Sequence, residues 1–291
     1  MTREQVAAFD AAILGLIYAA EPPVTARQTF YMAVGSGLTA KDDNGYRRII
    51  RRLSAMRESG ALPWSWIADN TRWVREATTY GSLWDALAEW QATYRRNYWA
   101  SQPERLELWV ESDSIASFLG RIVDRHGVPL FVCKGQASKS YVHGAAETAE
   151  RLGKPVHVLY LGDWDPTGVR IDQSVAERYR RYGTAQLDIE RIGIVPEQIT
   201  AMSLLGTPAK RTDPNYRHFE ELCRSHGLPV LAVETEAMPP DALRELVDQS
   251  IAVRIDQRAW QAVAGYEASE REQLAHFLED GGANPECGIP W

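Results

Sequence analysis

From residue 104 onward, short apolar runs alternate with amphipathic stretches, and this alternation constrains the fold more than any other feature of the chain. The runs cover residues 106–110, 129–133, 156–162 and 188–194. Between them, residues 112–126, 138–152 and 167–182 carry apolar side chains at helical spacing, as in Ile115, Phe118, Leu119, Ile122 and Val123 ahead of Gly127. A strand–helix–strand order of this kind implies right-handed crossovers and a mostly parallel sheet flanked by helices, an α/β fold. In such a sheet the C-terminal ends of the strands gather at one edge, where the chemistry of α/β proteins resides.

Two of these runs end in carboxylates. Residues 156–168, VHVLYLGDWDPTG, end in Asp163 and Asp165, and the run 106–110 ends at Glu111. Although far apart in sequence, the three acids converge if the strands are parallel. Clustered carboxylates repel one another unless a hard divalent cation holds them, and oxygen-only ligands favour Mg2+, with Mn2+ or Ca2+ as alternatives. An isolated Asp-x-Asp also occurs in turns and helix caps, so the strand-end context and Glu111 carry the argument. Asp113 reads as a cap of the first α/β helix, and Asp172 as part of a solvated helical face.

The first hundred residues have a different texture. Residues 3–19 place Val6, Phe9, Ile13 and Leu16 at helical spacing before Pro22-Pro23; Thr25-x-x-Gln28 is a capping box opening a second helix; and 43–58 form a third. On the third, Tyr46, Ile49, Ile50, Leu53 and Met56 share one face, opposite Arg47, Arg48, Arg51 and Arg52. The chain carries −7 overall, yet residues 1–100 carry +2 and the remainder −9, so the basic surface lies at the N-terminal end. Three short helices with arginines on the third, followed by a Pro/Trp-rich stretch suited to a β wing, match a winged helix-turn-helix for double-stranded DNA. The competing reading is a helical bundle with a solvated arginine face. Residues 1–80 are thus expected to be an α-rich DNA-binding domain, 81–103 a linker helix, 104–280 the metal-binding α/β domain with a helical extension, and 281–291 an irregular tail.

Composition narrows the setting. Three cysteines, widely spaced, suggest neither a disulfide framework nor a zinc site. No run reaches membrane-spanning length and the N-terminus lacks an uninterrupted apolar core, so a cytoplasmic, nucleoid-associated protein without a membrane partner is expected. His126, His143 and His157 have no ligand spacing, and Trp64, Trp66 and Trp73 read as packing residues of the wing.

The order strand–Glu111, strand–Lys134-Gly135, strand–Asp163-x-Asp165-Pro-x-Gly168, then Ile192-Gly193 and Pro196, resembles the Toprim domain of the A subunit of type IIB topoisomerases (topoisomerase VI) and its relative, the meiotic double-strand-break transesterase. The resemblance extends weakly to Glu234-x-Glu236-Ala237. It implies that Glu111, Asp163 and Asp165 bind Mg2+. In that family a winged helix similar to that of the catabolite activator protein precedes the metal domain and carries an Arg-x-x-x-Tyr motif whose tyrosine attacks DNA. Arg27-Gln28-Thr29-Phe30-Tyr31 stands at the corresponding place. Arg27 and Tyr31 lie one helical turn apart on a shared face, where the guanidinium can hold a phosphate or stabilise a phenolate. Lys134 can contact a DNA phosphate, or be an ordinary loop lysine.

The resemblance implies a Tyr31 attack that leaves a 5′-phosphotyrosyl link and a twofold homodimer for cutting both strands, with one subunit's Tyr31 near the other's metal; ATP-driven strand passage would need a separate GHKL-type ATPase subunit, since no phosphate loop is apparent in this sequence. Two other readings remain open: a hydrolytic Toprim nuclease in which Tyr31 is a packed helical aromatic, and a non-catalytic DNA-binding protein.

Overall fold

The computed structural model describes residues 2–68, 77–133 and 138–281. In chain order the elements are α1 (Arg3–Ala19), β1 (Val24–Thr25), α2 (Ala26–Gly35), α3 (Asp43–Glu58), β2 (Ile67–Ala68), α4 (Leu83–Thr93), β3 (Arg105–Val110), α5 (Asp113–His126), β4 (Leu130–Val132), α6 (Lys139–Leu152), β5 (Val156–Leu161), α7 (Ile171–Tyr182), β6 (Leu187–Gly193), α8 (Pro196–Ala201), β7 (Thr207–Pro208), α9 (Tyr216–Ser225), β8 (Leu231–Ala232), α10 (Pro240–Ala252) and α11 (Gln257–Gly281). Single turns of 3-10 helix cover Trp64–Trp66, Tyr98–Ala100, Gly168–Arg170 and Thr235–Ala237.

The expected α/β class is present as a four-stranded parallel sheet in the order β4-β3-β5-β6. Register decides which side chains meet. Trp109 lies opposite both Phe131 and Tyr160, and Val110 opposite Leu161. One face of the sheet, carrying Trp109, Val158 and Tyr160, packs on α6 and α7 through Val142, Ala146, Ala149, Val175 and Tyr179. Small residues on α6 let the two helices close over the aromatic pair. Trp109 is fully buried and stacks on Phe131 at 4.7 Å between ring centroids. The carboxylate on this face, Glu107, is fully buried and accepts from Arg105 Nε at 2.6 Å and Trp109 Nε1 at 2.9 Å, the pairing a buried carboxylate needs. Edge strand β6 exposes Asp188 and Glu190, whose charges discourage further strand addition; His157, buried, lies 2.9 Å from Asp188 and 3.2 Å from Glu190, a packed and satisfied side chain.

In the N-terminal helices, Phe9, Ile13 and Ile17 of α1 meet Phe30 and Ala33 of α2 and Ile49, Leu53 and Met56 of α3. The stretch expected as a wing supplies a 3-10 turn at Trp64–Trp66 and the two-residue strand β2, which pairs in parallel with β1; Trp73 lies outside the described residues.

The chain packs as two compact units, residues 1–72 with 104–254, and 73–103 with 255–291. Most of the expected domains 1–80 and 104–280 share the first, while residues 255–280 of the expected metal-binding domain belong to the second. Within the first, Arg244 of α10 donates to the carbonyls of Ala20 (2.7 Å), Glu21 (2.6 Å) and Pro23 (3.0 Å) and lies over the Phe118 ring, so the helical layer is bonded to the sheet layer. In the second, α4, expected as a linker, pairs with α11: Trp84 meets Phe277, and just beyond α4 the Tyr94 hydroxyl donates to Glu270 at 2.6 Å. No helix among the described residues is long and apolar enough to cross a membrane.

Candidate functional site

The register that sets Val110 beside Leu161 brings the next residues of β3 and β5 together. The Asp163 amide donates to Glu111 Oε2 at 3.0 Å, so two of the three predicted acids meet directly. Beyond β5 the chain turns through Asp165-Pro-Thr-Gly168. Asp165 Oδ1 accepts the Gly168 amide at 2.6 Å. A side chain at 168 would bring its Cβ to 2.4 Å from the Asp163 carbonyl oxygen, which is why the motif ends in glycine. Arg191 fastens the turn, donating to the carbonyls of Gly162 (3.0 Å), Asp163 (2.6 Å) and Gly168 (3.1 Å).

Trp164, between the aspartates, is buried against Phe219 and forms an antiparallel bridge with Val233. That bridge draws residues 234–236 alongside the acids. Thr235 donates to Asp163 Oδ1 from its amide and its hydroxyl, both at 2.8 Å. Buried Glu236 joins the cluster, accepting from Ser114 Oγ at 2.6 Å. Ser112, rather than Asp113, caps α5, and Asp172 faces Arg191 at 3.9 Å instead of open solvent.

The electrostatics are those of carboxylates crowded out of water. Burial, with the charges of Glu111 and Glu236, pushes the Asp163 carboxyl up to about 8. Glu111 is raised by burial and by Asp165 and Glu236, against the Asp163 amide and Arg191. Glu236 is raised chiefly by burial. The nearby Cys133 thiol, raised by burial to about 12, is neutral.

The donor chemistry suits a hard divalent cation: partly buried, oxygen-only and mutually repelling. The Tyr160 hydroxyl adds a buried oxygen without a hydrogen-bond partner at the same strand end, beside Gly162. Among the described residues, however, no three or more His, Cys, Asp or Glu side chains are disposed to hold a metal ion. Glu111, Asp163 and Asp165 each direct one oxygen to hydrogen bonds with the protein, and these bonds set their orientation.

The expected capping box opens α2: the Thr25 amide donates to Gln28 Oε1 at 2.7 Å and the Gln28 amide to Thr25 Oγ1 at 3.0 Å. The helix then presents Arg27 and Tyr31 on one face, and both reach Glu234. Arg27 pairs with it bidentately through Nε and Nη2, and the Tyr31 hydroxyl donates to Oε2 at 3.1 Å. Tyr31 is 7% exposed. Its phenol is raised above the ordinary range, first by burial and then by Glu234, with Arg27 opposing. Burial pushes Glu234 up, but the bonds and charge of Arg27 prevail and hold it below the usual carboxylate range. Lys41 Nζ lies 4.9 Å above the Tyr31 ring.

Of the predicted DNA-contacting arginines, Arg47, Arg48 and Arg51 are exposed and line an open groove with Asn44, Tyr46 and Ile50. Arg52 is committed to Asp10, with Nε 2.7 Å from Oδ1. Lys134 lies outside the described residues. Glu234, Glu236, Lys41 and Arg191 were not singled out as site residues by sequence; only the Glu234-x-Glu236 pair after an apolar run offered a signal. No family model and no curated protein matches this chain.

Proposed function

We propose that the protein is a metal-dependent DNA strand-cleaving enzyme with a Toprim-like acid site and a winged-helix-like DNA-binding layer, in which Tyr31 attacks the phosphodiester. One observation carries the reading. Residues 234–236 touch both halves of the predicted machinery, Glu234 bonding Arg27 and Tyr31 while Glu236 stands in the acid cluster beside Thr235, which bonds Asp163. Tyr31, the proposed nucleophile, and the acid cluster, distant in sequence, are thereby linked through one short segment of the same chain.

In this reaction the Tyr31 oxygen forms a bond to phosphorus and the P–O3′ bond breaks, leaving the 5′ phosphate on tyrosine and a 3′ hydroxyl after protonation from solvent. Glu234 Oε2 already accepts the phenolic hydrogen and is the atom to receive that proton. Arg27, freed from Glu234 as that carboxylate is protonated, offers its N–H fork to the phosphate. Glu111, Asp163 and Asp165 are the residues to hold Mg2+ or Mn2+, which supplies charge neutralisation at the phosphate when bound. Arg47, Arg48 and Arg51 supply the duplex contacts. A homodimer, and a separate ATPase subunit if strand passage is to be driven, complete the proposal.

A second reading, hydrolysis by water at the same acid site, is favoured by the burial and raised ionisation range of Tyr31. Incubation with end-labelled supercoiled DNA and Mg2+ or Mn2+, quenched in denaturant, separates the two. Covalent protein–DNA adducts that disappear in Tyr31→Phe support tyrosine attack; cleavage that survives Tyr31→Phe but not Asp163→Ala assigns the attack to water. Binding without cleavage under every metal leaves the third reading, a non-catalytic DNA-binding protein, or a partner subunit that must be added to the assay.

A further inference from the structure

Beside the tyrosine site lies a second cavity, of about 330 Å3, which neither the acid cluster nor Tyr31 uses. Its apolar wall is Ile50, Leu53 and Ile67, and Tyr46 adds an aromatic ring. The charged side chains lining it are Arg27 and Arg57, and no carboxylate lines it among the described residues. In a chain of net charge −7, a cavity lined by two guanidinium groups, one of them already paired with Glu234 outside the lining, is a specific local choice. Hydroxyls of Thr25, Ser54 and Ser114 complete it.

Arg57 is held rigidly at the wall of this cavity. Its Nη2 donates to the carbonyls of Trp64 at 3.1 Å and Ile67 at 2.9 Å, which fixes the side chain, while its Nε is buried with no hydrogen-bond partner. The position of the cavity is also informative. Tyr46 borders it, the groove of Arg47, Arg48 and Arg51, and the smaller cavity in front of Tyr31; Arg27 borders it and the Tyr31 cavity. A strand lying along the arginine groove therefore passes the mouth of this cavity on its way to Tyr31.

We propose that this cavity is a nucleotide-binding site, taking one base against Tyr46 and the aliphatic wall while Arg57 and Arg27 meet its phosphate or ring acceptors. The chemistry matches the ligand class: a flat apolar face for the base, cations for the phosphate, hydroxyls for the edge. In a DNA strand the occupant is a nucleotide turned out of the stack next to the bond presented to Tyr31, as in enzymes that extrude a base to reach it. The site does not depend on Tyr31 being the nucleophile.

The test is made on the Tyr31→Phe protein in EDTA, so that no cleavage chemistry enters. Ser54 lies on the exposed side of α3 and lines the cavity; Ser54→Trp fills it from a surface position, and an unchanged melting temperature confirms folding. Oligonucleotide duplexes with 2-aminopurine at successive positions should brighten at one position with the Tyr31→Phe protein. That rise should vanish in Tyr31→Phe/Ser54→Trp, with duplex affinity kept through Arg47, Arg48 and Arg51; this outcome assigns the site to a DNA nucleotide. In a parallel arm with dAMP alone, a thermal shift seen with the open cavity and absent in Ser54→Trp, without any 2-aminopurine response, assigns it to a free nucleotide. If both proteins respond alike to both probes, the cavity is not a nucleotide site.

Discussion

The bond between Tyr31 and Glu234 is the contact on which the functional reading turns, and its strength can be measured. The Tyr31 hydroxyl donates to Glu234 at 3.1 Å, and the carboxylate, 27% exposed at its side chain, also pairs with Arg27, 44% exposed. A hydrogen bond to a charged group contributes roughly 1.5–3 kcal/mol when buried; partial exposure brings this contact to about 1 kcal/mol. Removing Glu234 altogether breaks a pair lying between the surface case, about 0.2–1 kcal/mol, and the buried case, about 3–5 kcal/mol, hence about 2 kcal/mol. A double-mutant cycle of Tyr31→Phe and Glu234→Ala should therefore give a coupling of about 1 kcal/mol. In a unit of this size that is a Tm difference of about 2–4 °C between Tyr31→Phe in the two backgrounds.

The same contact fixes a pH signature. Glu234 ionises below its ordinary range when folded, so its stabilisation is present above the unfolded value of about 4.3 and is lost as pH falls through the lower folded value. The Tm gap between wild type and Glu234→Gln should be constant at neutral pH and close in acid, read by scanning calorimetry from pH 7 down to 3. Additive single mutants, or a gap that widens in acid, refute the assignment of Glu234 as the charged partner of Arg27 and Tyr31.

Other expectations are simpler. Arg47→Ala and Arg51→Ala should each make the salt dependence of DNA affinity shallower, by about 0.9 in slope for every phosphate no longer neutralised, measured by fluorescence anisotropy, whereas Arg52→Ala should leave the slope and cost stability through its pairing with Asp10. Mg2+ should raise the Tm of wild type and not of Asp163→Asn, checked by differential scanning fluorimetry against an EDTA control. Gly168→Ala, whose Cβ meets the Asp163 carbonyl at 2.4 Å, should destabilise by about 1–3 kcal/mol and abolish that Mg2+ response. Trp109→Ala, in the packed centre of the sheet, should cost about 3–5 kcal/mol without changing the DNA salt slope.

What the sequence made legible follows from the range of the interactions involved. Helical and strand periods are local, and α1, α2, α3, α5, α6 and the four sheet strands fall within a few residues of the expected spans. The convergence of Glu111 with Asp163 was legible because parallel pairing alone dictates it. In the stretch expected as a wing, Ile67–Ala68 pairs with Val24–Thr25, a partner more than forty residues away that the local Pro/Trp content does not announce. The partners of the site were not legible: nothing local in Glu234 says that it will face Arg27, 207 residues earlier. That contact rests on long-range pairings such as Trp164 with Val233 and Thr235 with Asp163, which no periodicity announces.

These pairings give residues 233–236 a mechanical meaning. Val233 is fixed to the turn between the aspartates, Thr235 bonds Asp163, Glu236 bonds Ser114 at the start of α5, and Glu234 reaches the other way to Arg27 and Tyr31. Of these four consecutive residues Val233 and Thr235 are bonded to the acid-bearing turn, Glu236 to α5 and Glu234 to α2, with buried Thr235 and Glu236 leaving little slack. An anion that draws Arg27 away from Glu234 pulls on the segment that orients Asp163, and a cation that reorients Asp163 pulls on the segment that holds Tyr31. The two halves of the proposed site are accordingly expected to respond to each other's ligands, and by linkage the coupling must be the same in both directions: DNA should tighten Mn2+ binding by the same factor by which Mn2+ tightens DNA binding, and Glu234→Ala should reduce both factors together.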